Sequence, residues 1–269
     1  MQKWNIAFLL LLLVGLLSAC GMGEERRQNM IIVGASAMPH AEILDHVKDK
    51  LAEQGIEMQV QTFDDYVLPN TALQDKQIDA NYFQTVPYLK KFNQQHNTSI
   101  TALEPIHFEP MGLYPGKQTA EEPRPGAVIG IPSDVTNSGR ALKLLERQGW
   151  ITLTPGKDIN SITKQDVIKN PKKIQFKEME GAVLSRAVTE VDYAVVNGNY
   201  ALQAGLDPKT ALEIEKKGSQ AAQENANIIA VREGDEKREA IRKLIEVLRS
   251  EDTKRYIEEE YKGAVVPVF

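Results

Sequence analysis

Short apolar runs without helical period alternate with amphipathic stretches, and the alternation occurs in two separate blocks of the chain. In the first block, Met30-Ile31-Ile32-Val33-Gly34 reads as a strand, and the stretch carrying Ile43, Leu44, Val47 and Leu51 reads as a helix. Ile56 to Gln61 alternates apolar with polar residues, Asp79 to Phe83 follows a short helix, and Pro87 to Asn97 opens another helix. In the second block, Ala127 to Ile131, Ile174 to Phe176 and Tyr193 to Val196 are strand candidates, with a helix expected over Gly139 to Gln148. Strands alternating with helices favour an α/β fold with a mainly parallel core, so two α/β lobes are expected. His107 to Tyr114 and Asn227 to Val231 are extended runs placed where the chain would cross between them. The tail has Ile241, Leu244, Ile245 and Leu248 at helical spacing and predicts two amphipathic helices capping the first lobe. Two lobes joined by two crossovers leave a cleft, the usual place for a small ligand, and a hinge there permits closure.

The first residues have another character. Lys3 precedes an apolar run from Ile6 to Leu17, twelve residues long. A membrane-spanning helix needs roughly 20 such residues, so the run reads as a signal peptide over residues 1–19. It ends at Leu17-Ser18-Ala19-Cys20-Gly21, which resembles a bacterial lipobox, whose cysteine thiol is alkylated by diacylglycerol and becomes the new N-terminus. Gly21 to Gln28 is polar and charged, and residues 20–29 read as a lipidated tether that holds the folded body at a membrane, on its extracytoplasmic side. Cys20 is the sole cysteine, so no disulfide within one molecule and no thiolate metal cluster is available, and a buried core must supply stability. Removal of residues 1–19 takes away Lys3 alone and leaves 31 basic against 37 acidic side chains, a net charge that disfavours nucleic acid as a partner. The organisation expected beyond the tether is lobe I over 30–112, lobe II over 113–225 and a return to lobe I over 226–269.

Ser133 to Leu142, directly after a strand, is the sharpest local constellation. A polar loop entering a helix presents unpaired N–H groups and favours an anion, and Arg140, expected in the first turn, adds a planar fork suited to a carboxylate. Capping by Ser133, Asp134, Thr136 and Asn137 with a solvated Arg140 explains the same residues without a ligand. Asn81-Tyr82-Phe83-Gln84 ends a strand at the edge where open sheets collect ligands, although Tyr82 and Phe83 must face opposite ways. Asn197, Asn199 and Tyr200 follow another strand and could contribute polar contacts or simply form a turn.

Enzyme signatures are poor. His40, His46, His96 and His107 are scattered and read as solvated surface residues, with no HExxH or similar metal spacing. No G-x-S-x-G elbow, P-loop or G-x-G-x-x-G occurs, so neither a metal nor another cofactor is expected. Ser133, Ser138, Asp134 and His107 are the remaining candidates for catalysis.

Six ordered motifs carry a family resemblance over nearly the whole mature chain: Pro39 to Leu44, Asp65 to Asn70, Asp79 to Gln84, His107 to Gly112, Asn137 to Arg140, and Ala226 to Arg232. By these motifs the chain resembles the methionine-binding lipoproteins of the MetQ/NlpA type, the substrate-binding components of methionine ABC importers. The resemblance implies a two-lobed, type II-like periplasmic-binding-protein fold that captures methionine and delivers it to a membrane permease driven by a cytoplasmic ATPase. It further implies that Arg140 holds the ligand carboxylate, that Asn197 and Asn227 orient the amino and carboxylate groups, and that Tyr66, Phe83 and Tyr88 enclose the side chain. Thr85 stands where the family usually has histidine, and Glu224-Asn225 where Pro-Tyr is common; both bear on the pocket. Another amino acid, a short methionine-containing peptide, an enzyme on the same fold and a lipoprotein with a vestigial cleft are the alternatives.

Overall fold

A computed structural model describes residues 29–218 and 220–269. The expected signal peptide, Cys20 and most of the tether lie outside the described residues. Lobe I begins with β1 (Met30–Ser36), an irregular turn (Ala37–Ala41), α1 (Glu42–Glu53), β2 (Glu57–Phe63), α2 (Leu68–Gln74), β3 (Ala80–Thr85), α3 (Val86–His96) and β4 (Ile100–Phe108). Lobe II follows with β5 (Gly112–Pro115), β6 (Val128–Pro132), α4 (Val135–Arg147), β7 (Thr152–Leu153), β8 (Val167–Lys169), β9 (Gln175–Met179), α5 (Gly181–Arg186), β10 (Tyr193–Val196), α6 (Gly198–Gln203) and β11 (Glu213–Ile214). The chain then returns through α7 (Gln220–Glu224) to β12 (Asn227–Arg232), α8 (Glu239–Leu248), α9 (Glu251–Tyr261) and β13 (Val266–Pro267).

The first sheet has the order β13-β4-β12-β3-β1-β2 and the second β11-β5-β10-β6-β9. β1 pairs in parallel with β2 and β3, while β12 runs antiparallel between β3 and β4. β6 is likewise parallel to β9 and β10, with β5 antiparallel at β10. Parallel strands need covered faces, and both sheets have them. Ile31, Val33, Ile229 and Val231 point toward α1, α8 and α9, whereas Ile32, Ile228 and Ala230 point toward α2 and α3. The two C-terminal helices thus complete lobe I through Ile241, Leu244, Leu248, Ile257 and Tyr261. In lobe II, Ile129, Ile131, Tyr193 and Val195 pack on α4, and Ala194 and Val196 pack with Leu184 and Tyr200 of α5 and α6.

Three local expectations are corrected. Asn227–Arg232 is an inner strand of the first sheet, because both its edges find partners; the return crossing is made by the residues before it. The outgoing crossing is short, since β4 reaches Phe108 in one sheet and Gly112 already pairs with Val196 in the other. Helix α4 starts at Val135, four residues before the expected Gly139, because the Asp134 carboxylate caps it by accepting the Asn137 N–H at 3.0 Å. Arg140 is therefore the sixth residue of the helix rather than part of its first turn. Gly139 belongs inside the helix because the carbonyl oxygen of Ile159 occupies the place of a Cβ.

Candidate functional site

The carboxyl ends of β3 and β10, the N-terminal turns of α3, α4 and α6, and the start of β12 converge between the two sheets. They enclose a cavity with about 370 Å³ of space outside protein atoms, open solvent included. Tyr66, Phe83, Thr85, Tyr88, Arg140, Asn197 and Asn227 all line it, joined by Gln84, Glu109, Asn137, Gly198 and Asn199.

One wall is aromatic. The Tyr66 ring lies 5.8 Å from Phe83 and 5.7 Å from Tyr88, centroid to centroid, and Phe83 lies 6.2 Å from Tyr88. Tyr88 donates its hydroxyl to the Tyr66 carbonyl at 3.0 Å, and Tyr66 donates to Asn199 Oδ1 at 2.6 Å across the lobes. A closed set of amides fixes the strand beneath: Asn70 Nδ2 donates to Gln84 Oε1 (2.8 Å), Gln84 Nε2 to Asn81 Oδ1 (2.8 Å), and Asn81 Nδ2 to Asn70 Oδ1 (2.8 Å). This ties the Asp65–Asn70 segment to β3 and sets the spacing of Tyr66 from Phe83. Thr85 is the N-cap of α3, its hydroxyl accepting the Tyr88 N–H at 3.4 Å. Asn225 is buried but is not among the lining side chains.

The opposite wall is polar. Asn137 Oδ1 accepts from Arg140 Nη1 (3.1 Å) and from Asn197 Nδ2 (2.9 Å). Burial opposes the charge on Arg140, yet the adjoining Glu215 outweighs it and holds the guanidinium protonated more firmly than usual. Asn197 Oδ1 and Asn199 Nδ2 are buried at the cavity with no hydrogen-bond partner among the described residues. Such orphaned groups cost free energy unless a polar ligand or water meets them.

Behind this wall lies a buried cluster that corrects the reading of the histidines as solvated. His40 and His107 are 1% and 0% exposed. With its proton on Nε2, His107 donates to Glu109 Oε1 at 2.6 Å while Nδ1 accepts the Tyr82 hydroxyl. His40 Nε2 donates to Asn227 Oδ1 at 3.1 Å and lies 3.2 Å from Glu109 Oε1. Asn227 Nδ2 lies 3.4 Å from the same oxygen. His40 is on the turn after β1 and His107 on β4, so only sheet formation brings them together, whereas His46 and His96 are on helix surfaces. Burial pushes the Glu109 carboxyl above its usual range, with His40 and Arg140 pulling it back. The ligand atoms of His40, His107 and Glu109 lie within 4.8 Å of one another, close enough for a metal only if these hydrogen bonds were opened. As a catalytic base His107 is poorly placed, since its partners are Tyr82 and Glu109 rather than a serine. Asp134 is likewise committed to capping α4.

A family model described as NlpA lipoprotein matches residues 31–269. The chain belongs to the NlpA lipoprotein family. Among NlpA relatives, the methionine-binding lipoprotein MetQ of Bacillus subtilis is 39% identical, over 100% of this chain and 99% of its own length. A nutrient-binding protein from Burkholderia cenocepacia, solved bound to methionine, superposes with a TM-score of 0.82 at 37% identity, covering 89% of this chain and 100% of that one. An ABC-transporter periplasmic substrate-binding protein from Coxiella burnetii gives the same TM-score at 36% identity, covering 89% and 100%. The two-lobed fold is common to them.

Within this NlpA-type cleft, residue-by-residue reading missed Glu109, Asn137 and Gly198 as lining residues. Glu109 lay inside one of the motifs that carry the resemblance, and that was the available signal; nothing in its sequence neighbourhood distinguishes a buried carboxylate from a solvated one. Gly198 is required by close approach, since a Cβ there would lie 2.6 Å from that of Glu109.

Proposed function

We propose that the chain captures methionine as a zwitterion in this cleft and presents it to the permease of an ABC importer, acting as a binding protein rather than an enzyme. The observation that carries this reading is the division of one cavity into a wall of three rings and a wall of amides with one cation and one carboxylate. An α-amino acid has matching parts. Its carboxylate meets Arg140, its ammonium meets Glu109, Asn227 and the unpaired Asn197 Oδ1, and its side chain lies among Tyr66, Phe83 and Tyr88. A thioether suits those rings, since sulfur–aromatic contacts contribute about 0.3–1.5 kcal/mol, whereas a charged side chain would be buried without a partner there. The methionine-bound relative and the transporter component point the same way. Lipid on Cys20 would keep the folded lobes beside the permease, outside the cytoplasm; among the described residues no helix is long and apolar enough to cross a membrane.

A thermal-shift panel of the twenty amino acids on ligand-stripped protein tests the assignment, because a ligand that binds only the folded chain stabilises it by about 2.7 kcal/mol at a hundred times its Kd. Methionine is expected to raise the melting temperature most. Stabilisation by glutamine with none by methionine would overturn the reading, and turnover of the ligand in the same samples would return the enzyme alternative.

A further inference from the structure

Arg140 does not approach the cavity as a free side chain. The Nε and Nη2 atoms on its side-on edge donate to the two oxygens of Glu215, at 2.9 and 2.6 Å. Glu215 Oε2 also accepts the backbone N–H of Met111 at 2.9 Å, and the Glu215 N–H donates to the Met111 carbonyl at 3.0 Å. Met111 lies where the chain leaves lobe I, and Glu215 lies where it starts back, so a single carboxylate joins Arg140 to both crossings. Glu215 is itself only 13% exposed.

A guanidinium is planar, with five N–H donors in a fixed fork. Once its side-on edge is pinned, the direction of its end-on edge is set as well. That edge faces Asn137 Oδ1 at 3.1 Å and the Glu109 carbonyl at 3.4 Å. The second contact is long for an N–H···O bond and is the one a ligand oxygen can displace. Glu215 also neutralises a cation that would be costly to bury alone, so recognition of the carboxylate relies on the direction of the donors rather than on an unpaired charge.

We propose that Glu215 is the positioning residue of the carboxylate subsite: it fixes the plane of Arg140, offers the end-on edge to the ligand, and ties that plane to both interlobe crossings. This rests on the reading of Arg140 as the partner of the ligand carboxylate. The substitution Glu215→Asp shortens the side chain so that it cannot span Arg140 and Met111 together. Glu215→Gln keeps the length but replaces one acceptor by an N–H₂ facing donors.

The test measures calorimetric binding of L-methionine and of L-methioninamide, which lacks the carboxylate, to wild type, Glu215→Asp and Glu215→Gln. Melting without ligand identifies the variants that remain folded. Wild type is expected to prefer methionine, and in the variants that preference falls about tenfold or more, as for groups in direct contact, while methioninamide affinity changes little. Equal weakening of both ligands would show a merely structural role and overturn the proposal, as would a preference that is unchanged or raised in both variants. Wild type that binds methionine and its amide alike would overturn the proposal while leaving methionine as the ligand. Wild type that binds neither would overturn the functional reading and the proposal with it.

Discussion

Acidification is the perturbation that reads the buried cluster most directly. Burial holds both imidazoles neutral, with the pKa of His40 pushed down to about 4 and that of His107 to about 3. In the unfolded chain each titrates near 6.5. Between these values the unfolded chain binds protons that the folded one refuses, so stability is fully present above pH 6.5 and is lost as the pH falls. Each imidazole contributes about 1.4 kcal/mol per pH unit; two of them over two units, from pH 6.5 to 4.5, remove about 5 kcal/mol. Glu109 opposes this, because burial raises its carboxyl and the folded chain takes up that proton first. Its offset is at most about 1.4 kcal/mol per unit, leaving a net loss of about 2 to 5 kcal/mol, against the roughly 5 to 15 kcal/mol that stabilise a domain. Asp192 and Asp252 have depressed carboxyls, Asp252 at about 2, and the folded chain does not protonate them in this window. Urea unfolding at pH 7.5, 6.5, 5.5 and 4.5, followed by circular dichroism, measures the loss. His40→Gln removes one titration and cuts the slope below pH 6.5 by about half or more, whatever it does to stability at neutral pH. An unfolding free energy that is flat from pH 6.5 to 4.5, or a slope indifferent to the substitution, would refute the reasoning.

Four further outcomes are expected. Cys20→Ser yields an unlipidated precursor because serine cannot form the thioether to diacylglycerol; undiminished fatty-acid labelling of the variant would place the anchor elsewhere. Arg140→Ala weakens methionine binding by about 2 to 5 kcal/mol, the range for truncating one partner of a buried charge pair, and Arg140→Lys does not restore it because ammonium lacks the planar fork; wild-type affinity in both by calorimetry would move the carboxylate site. Norleucine binds more weakly than methionine by only about 0.3 to 1.5 kcal/mol, the worth of the sulfur–aromatic contact, whereas glycine binds far more weakly; a competition assay ranking glycine beside methionine would remove the rings from the site. Gly139→Ala lowers the melting temperature, although alanine ordinarily stabilises a helix interior by about 1 kcal/mol, because the added methyl meets the Ile159 carbonyl oxygen; a rise would show that the Ile159–Ser161 turn yields.

What local sequence carries, it carried clearly. Ile31, Val33, Ile129 and Tyr193 to Val196 lie in apolar runs that need no distant partner to be read as strands, and the spacing of Ile241, Leu244 and Leu248 defines an apolar face wherever the helix docks. The alternation of these elements was enough for two α/β lobes. Helix α4 was harder, because its start depends on Asp134 acting as a cap, while Gly139 looked like the beginning of an element and proved to be a contact point with Ile159.

The cavity residues divide in the same way. Tyr66, Phe83, Arg140 and Asn227 lie in ordered motifs, each a short string, and Tyr88 and Asn197 were named through the resemblance those motifs carry. Whether a charge or an imidazole is buried is a different kind of property. His40 and His107 met through β-sheet formation, in which Asn227 stands opposite His107, and Glu215 reached Arg140 from a position 75 residues further along the chain. Periodicity and capping act over a few residues, so sequence alone determined the elements and the class of fold. Burial, charge pairing and the direction of a guanidinium depend on contacts between distant segments, and these only the tertiary structure decided, because desolvation is set by everything that surrounds a group and not by its neighbours in the chain.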